Sequence, residues 1–152
     1  MNYISGDLIA LADEGRFDLI VHGCNCFQQM GKGIAKDIKK RWPESFEADK
    51  AYRDAGDRSK LGTWSTAYVK TRVNTELIII NAYTQYTYWD TSDMLSMDAV
   101  SRVFDRLSYE YGHLNIGIPK IGAGLAMGNW KEIESVINDF SFRDLTCVLF
   151  TN

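Results

Sequence analysis

The chain lacks the features of an exported or membrane protein. It has no N-terminal signal peptide, no apolar run long enough to span a bilayer and only three cysteines, which cannot all pair within one chain. It also has no internal repeat, no low-complexity segment and only two prolines, so nothing marks a linker. These absences predict a reduced, cytoplasmic protein that forms one domain over residues 1–152, without a membrane partner.

A surplus of positive charge is also lacking. The formal net charge is −3, and the only basic run is "KDIKKR" at 36–41, which we interpret as the solvated face of a helix. Proteins that bind nucleic acid in general show a basic face, so we expect no nucleic-acid partner. An apolar fraction of 45% is enough for a sizeable core in a chain of this length.

The usual nucleotide and metal motifs are missing as well. "GKGIAK" lacks the third glycine of the dinucleotide fingerprint, and no Gly-Lys-Ser/Thr P-loop occurs. His22, Cys24 and Cys26 share one face of a predicted strand, but a structural zinc needs four ligands, so we predict no metal and no cofactor. The cysteines are interpreted as small buried side chains, and a thiolate pair of Cys24 with His22 is the weaker alternative.

The hydropathy pattern predicts an α/β fold with a mixed sheet. Apolar strands alternate with amphipathic helices, and two strands joined by "TRVNT" form a hairpin. One helix is expected over 45–56 with a stop at Gly56, and another over 93–111. Asn129 is expected to cap the last helix, with Glu132 three residues on.

The predicted strands end in polar or glycine-rich loops, where layered folds bind ligands. The main examples are Gly6-Asp7, "HGCNCFQQMGKG" at 22–33, "NAYTQ" at 81–85 and "PKIGAGLAMGN" at 119–129. Glycines before a helix let backbone N–H groups approach a phosphate, and the helix N-terminus adds partial positive charge. Two such loops facing one cleft could hold a diphosphate, although each alone is also typical of a tight turn.

Two further side chains leave their roles open at this point. His22 enters a glycine-rich loop from a buried strand, so it is either a general acid or base or a hydrogen-bonded core histidine. Asp7 follows a glycine and can simply form a turn.

These residues, in this order, resemble the macro domain, an ADP-ribose-binding module. "GDL" resembles the family's Gly-Asp-Ile/Leu, "VHGCNCFQQMGKGIAKDIKKRWPE" resembles the branch that includes ADP-ribose 1″-phosphate phosphatases, and "IPKIGAGLAMGNW" resembles the second phosphate loop. The resemblance covers nearly the whole chain. It implies a three-layer α/β/α macro domain with a central mixed β-sheet.

The resemblance also implies roles for individual residues. Asp7 would bind the adenine amino group, Asn25 would lie at the distal ribose, and the loop from Met30 to Gly33 would lie along the diphosphate. The implied catalytic residues are His22, Asn25 and, as an acidic partner whose alternative role is a helix cap, Asp90. The implied ligand-binding residues are Asp7, Leu8, Gly23, Cys24, Met30, Gly31, Lys32, Gly33, Ile34, Asn81, Gln85, Pro119, Ile121, Gly122, Ala123, Gly124 and Leu125.

The departures from the family's patterns select among its activities. His22 stands where the commonest hydrolases have the first of two asparagines, and the phosphatase-like group keeps a histidine there. The branch that removes ADP-ribose from glutamate uses a lysine and an aspartate. In this chain the "NAYTQ" region stands at the place of the lysine, and Ala126 stands at the place of the aspartate. The resemblance therefore implies a cofactor-free, monomeric ADP-ribose 1″-phosphate phosphatase. The alternatives are an ADP-ribosyl ester or O-acyl-ADP-ribose hydrolase and a non-catalytic ADP-ribose reader; nucleic acid would enter only as an ADP-ribosylated substrate.

Overall fold

Six strands form one sheet in this computed structural model, which describes residues 1–151. The strands are β1 (Asn2–Gly6), β2 (Leu19–Cys24), β3 (Trp64–Lys70), β4 (Glu76–Tyr83), β5 (Asn115–Ile118) and β6 (Asp144–Phe150). Their order in the sheet is β1-β6-β5-β2-β4-β3. All neighbours are parallel except β3, which pairs antiparallel with β4 through the predicted hairpin. The predicted mixed sheet is confirmed.

Helices cover both faces of the sheet, as predicted. They are α1 (Leu8–Asp13), α2 (Gly33–Arg41), α3 (Pro43–Ala51), α4 (Met97–Tyr111) and α5 (Trp130–Ile137), with 3-10 turns at Arg58–Lys60 and Thr91–Asp93. Leu19 and Val21 pack in the core beneath α4 and α5, whereas Ile20 packs in the core beneath α1 and α2. Because successive side chains of a strand point to opposite faces, β2 is buried on both sides, which explains its continuous apolar run.

Two helix boundaries differ from the predictions. The helix expected over 45–56 begins at Pro43, a favoured first position, and ends at Ala51. It stops short of Gly56 because the Tyr52 ring stacks on Tyr83, with 5.4 Å between centroids, and Arg53 turns the chain with φ 58°.

The helix expected from residue 93 begins at Met97, because the Ser96 side chain caps it by accepting a hydrogen bond from the Ala99 N–H. The Asn129 cap is confirmed, since its side chain accepts a hydrogen bond from the Glu132 N–H. Within residues 1–151, none of the helices combines the length and apolar character needed to cross a membrane.

Candidate functional site

A cavity of about 600 Å³ opens beyond the carboxyl ends of β2, β4 and β5. Since these strands are parallel, their carboxyl ends meet at one edge of the sheet. Segments 23–35 and 119–126 contribute most of its lining, and the loop after β4 adds Gln85, Tyr88 and Met94. The strand-end loops singled out in the sequence therefore come together around one space.

The first wall is the glycine loop at the start of α2. Gly31, Lys32 and Gly33 line the cavity, followed by Ile34 and Ala35 in the first turn of the helix. Gly33 has φ +60°, a conformation that side-chain-bearing residues rarely adopt. No side chain caps this helix end, so its first N–H groups remain available for an anion at the positive end of the helix dipole.

The facing wall is the loop after β5. Gly122 has φ +77°, and its carbonyl accepts a hydrogen bond from the Gly128 N–H at 2.7 Å, which closes the loop. A Cβ on Gly33 would lie 3.1 Å from the Leu125 Cδ1, so the two loops nearly meet across the cavity. The second wall differs from the first, because α5 begins only at Trp130 and its N-terminus does not line the cavity.

The charged side chains that line the cavity are all positive. Its ionisable side chains are those of Lys32, Lys120, Tyr88 and Cys24, and none of the described lining residues is Asp, Glu or His. Neither lysine makes an ion pair with any residue of the range 1–151. Burial raises the pKa of the Cys24 thiol well above its ordinary value, so this group stays neutral. The cavity is therefore suited to an anion.

Asn25 lies in the lining but also holds its own loop. Its Oδ1 accepts a hydrogen bond from the Phe27 N–H at 2.9 Å, and its Nδ2 donates to the Gln29 carbonyl at 2.9 Å. An amide side chain has a second N–H and a second lone pair, which are left for a ligand. The turn thus fixes the direction in which Asn25 can bind.

His22 does not line the cavity. It is fully buried, and its Nε2 lies 2.7 Å from the Oδ1 of Asn81. The Nδ2 of Asn81 donates to the Ser45 carbonyl and the Ser65 hydroxyl, so its Oδ1 accepts and the His22 Nε2 carries the hydrogen. Burial lowers the pKa of His22 to about 4, an effect that the bond to Asn81 partly offsets. His22 is thus a neutral histidine behind the cavity wall.

The hydrogen bonds of Asn81 continue into a buried polar network. The Ser65 hydroxyl lies 2.8 Å from the Tyr83 hydroxyl, which donates to the Oδ1 of Asp49 at 2.7 Å. Burial is the main cause that raises the pKa of Asp49. The buried His22–Asp49 network therefore links β2, β4, β3 and α3, and it meets the cavity lining at Cys24, whose Sγ lies 3.7 Å from the Nε2 and 3.8 Å from the Nδ1 of His22.

The two other predicted acidic residues are helix caps. Asp7 caps α1 by accepting hydrogen bonds from the Ile9 and Ala10 N–H groups through its Oδ1. Asp90 caps the 3-10 turn at 91–93, where its Oδ1 accepts hydrogen bonds from the N–H and hydroxyl of Ser92. Neither lines the cavity, and Asp90 takes the capping position that was the alternative interpretation of its sequence context.

The structure brings most of the predicted ligand-binding residues together. Those that line the cavity are Gly23, Cys24, Asn25, Gly31, Lys32, Gly33, Ile34, Gln85, Pro119, Ile121, Gly122, Gly124 and Leu125. Those that do not are Asp7, Leu8, His22, Met30, Asn81, Asp90 and Ala123. Leu8 and Met30 are core residues, and Ala123 packs against the core. The roles assigned to individual residues remain predictions.

Six lining residues were not predicted: Gln29, Ala35, Tyr88, Met94, Lys120 and Ala126. Gln29 and Lys120 lie inside the strand-end motifs quoted above, so those motifs could have predicted them as lining residues. Tyr88 and Met94 come from the loop after β4, whose path depends on long-range contacts. The Cys26 thiol donates a hydrogen bond to the Gln85 carbonyl, with 3.4 Å between sulfur and oxygen. Residues 1–151 contain no cluster of three His, Cys, Asp or Glu side chains that could bind a metal ion.

Comparison with known proteins identifies relatives along most of the chain. An uncharacterized 17.5 kDa protein from the tk-vs intergenic region of Enterobacteria phage T4 is 36% identical over 148 residues, which is 94% of this chain and 91% of the relative. A DNA ADP-ribosyl glycohydrolase of Mycobacterium tuberculosis is 30% identical over 135 residues, 88% of this chain but only 36% of the relative. An ADP-ribose 1″-phosphate phosphatase of Debaryomyces hansenii is 28% identical over 168 residues, 93% of this chain and 94% of the relative.

The fold is also similar to solved structures. Thermosipho africanus DarTG in complex with ADP-ribose superposes with a TM-score of 0.74 at 14% identity, covering 98% of this chain and 41% of the other. The model of the Macro domain family matches residues 21–137, which is most of the sheet and every segment that lines the cavity. Together with the relative that is 36% identical, this match shows that the chain belongs to the Macro domain family.

Proposed function

We propose that the cavity binds ADP-ribose and that the protein releases phosphate from ADP-ribose 1″-phosphate. The observation that carries the proposal is the charge of the cavity. Two glycine loops face each other across it, its charged side chains are Lys32 and Lys120, and no carboxylate or histidine of residues 1–151 lines it. A diphosphate would accept hydrogen bonds from the loop N–H groups while the lysines balance its charge.

The sugar and base of the ligand would extend from that diphosphate. In the proposed arrangement Asn25 binds the distal ribose with the N–H and lone pair that its turn leaves free. The base would extend toward Asp7, whose two hydrogen bonds within residues 1–151 both use Oδ1, so that Oδ2 can accept one from the adenine amino group.

In the proposed reaction, water attacks the phosphorus and the bond between phosphorus and the C1″ oxygen breaks. The oxygen leaves with a proton as the hydroxyl of ADP-ribose, and inorganic phosphate is the second product. Because the leaving group is a hemiacetal hydroxyl, it needs less help from a general acid than an alkyl alcohol does. Orientation by Asn25 and the loop N–H groups is therefore the main contribution of the chain.

His22 has an indirect part in this proposal. It is fully buried behind the cavity wall, so we assign it as a positioning residue that holds the end of β2, and with it Asn25, through its bond to Asn81. Asp90, bonded to Ser92, has no part.

A second candidate is hydrolysis of an ADP-ribosyl group from a macromolecule. The similarity to the mycobacterial DNA ADP-ribosyl glycohydrolase favours it. The residue of "NAYTQ" that lines the cavity is Gln85, and no lysine occurs in that segment to act as a nucleophile. An ADP-ribose reader without catalysis is the third candidate.

Titration calorimetry with ADP-ribose and AMP tests the binding step. Phosphate release from ADP-ribose 1″-phosphate and ADP-ribose release from an ADP-ribosylated oligonucleotide then test the two activities on the same preparation. We expect preference for ADP-ribose over AMP and release of phosphate. Release of ADP-ribose alone would favour the second candidate, and binding without either activity would favour the reader. Absence of ADP-ribose binding would overturn all three.

A further inference from the structure

Exposed aromatic side chains stand at the mouth of the cavity. Tyr88 lines the cavity and is half exposed, and the neighbouring Trp89 is 59% exposed. The Trp89 ring packs edge-to-face against Tyr88 at 4.9 Å and against Phe27 at 4.8 Å between centroids. Exposed aromatic surface that continues a ligand cavity marks a binding surface, because aromatic side chains usually bury their large apolar area. Nothing in the proposed contacts to ADP-ribose uses this pair.

The pair lies at the Asn25 end of the cavity. The Cys26 N–H donates to the Tyr86 carbonyl at 2.9 Å, and the Gln85 N–H donates to the Cys24 carbonyl at 3.4 Å. The segment that carries Tyr88 and Trp89 therefore runs beside the turn that carries Asn25. If Asn25 binds the distal ribose, the two rings stand next to whatever is attached to that ribose.

The loop that presents the two rings is internally braced. The Thr87 hydroxyl donates to the Asp90 carbonyl at 3.0 Å, and the Tyr86 N–H donates to the Met94 carbonyl at 2.8 Å. Arg58 covers the Tyr86 ring at 3.7 Å and forms an ion pair with Asp93. A braced platform loses little conformational entropy on binding, which favours a rigid planar partner.

We propose that Tyr88 and Trp89 form a stacking subsite for a heteroaromatic base attached to the distal ribose of the ligand. This inference rests on the proposed ADP-ribose binding mode. Arg58 and Asp93 neutralise each other, and the Oδ1 of Asp90, which follows Trp89 in the chain, accepts hydrogen bonds from Ser92, so the platform offers stacking rather than charge. Every base has a π-face, and stacking on aromatic side chains tolerates any of them. Two rings without a basic stretch beside them suit a single base rather than a long strand.

Two ligands supply such a ring from different sources. NAD has nicotinamide on the distal ribose, and a single-stranded oligonucleotide ADP-ribosylated on one base has that base. The test compares their apparent affinities with that of ADP-ribose in the wild type, in Trp89→Ala and in Trp89→Phe. Tyr109→Ala is the matched control, because Tyr109 is 92% exposed on α4 and does not line the cavity.

We expect Trp89→Ala to weaken at least one base-bearing ligand by about fivefold to a hundredfold, the range that stacking gives on alanine substitution. ADP-ribose affinity should stay within about twofold by the same reasoning, and Trp89→Phe should restore most of the loss. An effect on NAD alone identifies a free dinucleotide as the source, and an effect on the oligonucleotide alone identifies nucleic acid.

Equal affinities for each base-bearing ligand in Trp89→Ala and wild type would overturn the subsite while leaving ADP-ribose binding intact. Equal losses for ADP-ribose and the base-bearing ligands would also overturn it, because the substitution would then have disturbed the whole cavity. If the wild type bound no ADP-ribose, the proposed function would fail and this inference with it.

Discussion

The two sides of β2 use polar groups in opposite ways. On the cavity side, Gly23 and Asn25 lie among glycines, backbone N–H groups and two lysines without ion pairs in residues 1–151. On the other side, hydrogen bonds join the members of the buried His22–Asp49 network to one another. His22, Tyr83 and Asp49, the side chains of this network that can exchange protons, thus do not line the cavity in which a ligand would bind. In the proposed binding mode, ligand recognition therefore falls mainly to the backbone, whereas the buried titratable groups support the edge of the sheet.

The largest expected effect comes from breaking the network at its centre. Asn81→Ala leaves the His22 Nε2–H and the Ser65 hydroxyl with one partner fewer each in a fully buried place. A buried group without a partner costs about 1–3 kcal/mol, so we expect the free energy of unfolding to fall by about 2–4 kcal/mol. Urea denaturation measures this loss. ADP-ribose affinity of the folded variant should also fall, because the bond between His22 and Asn81 holds the end of β2, and with it Asn25, in the proposed binding mode.

The exposed Asn138→Ala serves as control and should change the free energy of unfolding by about 0.5 kcal/mol or less. A similarly small loss in Asn81→Ala would mean that the network does not stabilise the fold.

The network should also give stability a pH dependence. His22 has a pKa of about 4 when folded against 6.5 for a free histidine, so below pH 6.5 the unfolded chain takes up a proton that the folded chain refuses. The free energy of unfolding should therefore decrease from pH 6.5 to pH 4, by about 3 kcal/mol in all. Chemical denaturation across this range, compared with His22→Gln, isolates the contribution of the histidine.

Asp49 acts in the opposite direction, because its raised pKa means that the folded chain holds a proton that the unfolded chain has lost. Wild type and His22→Gln both contain Asp49, so its contribution cancels when the pH dependence of one protein is subtracted from that of the other. Identical slopes in wild type and His22→Gln would show that folding does not lower the pKa of His22.

Sequence patterns predicted this molecule best where local chemistry decides the outcome. The strand ends, the glycine loop before α2 and the Asn129 cap all follow from short-range rules, and all are present. The face of β2 that meets the cavity could not be predicted in this way. Alternation places His22 and Gly23 on opposite faces of the strand, but it does not say which of the two faces lies beside the cavity. Likewise Tyr88 reaches the lining only because the loop after β4 folds back along the turn at Asn25.

On the cavity side, the largest effect is expected at Gly33. Gly33→Glu would place a carboxylate beside the proposed diphosphate at a position with φ +60°, where its Cβ would lie 3.1 Å from Leu125. Since like charges brought together cost several kcal/mol, ADP-ribose affinity should fall by about a hundredfold or more. Calorimetry measures the change.

Gly15→Glu is the matched control for strain. Gly15 has φ +80° and its Cβ would lie 3.2 Å from Thr75, but it does not line the cavity. It should lose stability as Gly33→Glu does and keep its affinity. Unchanged affinity in Gly33→Glu would remove this loop from the site.

The smallest effect is expected from the two lysines of the lining, whose removal measures how much side-chain charge adds to binding by the backbone N–H groups. Lys32 and Lys120 are exposed, and exposed charge pairs contribute little in water, so each alanine substitution should weaken ADP-ribose binding by only about two- to fivefold. The loss should shrink as salt is raised from low to high concentration, because screening already removes the charge term. Lys131→Ala, also exposed but outside the lining, should change neither quantity. A loss as large as that in Gly33→Glu would mean that side-chain charge, rather than the backbone of the two loops, dominates recognition on the cavity side of β2.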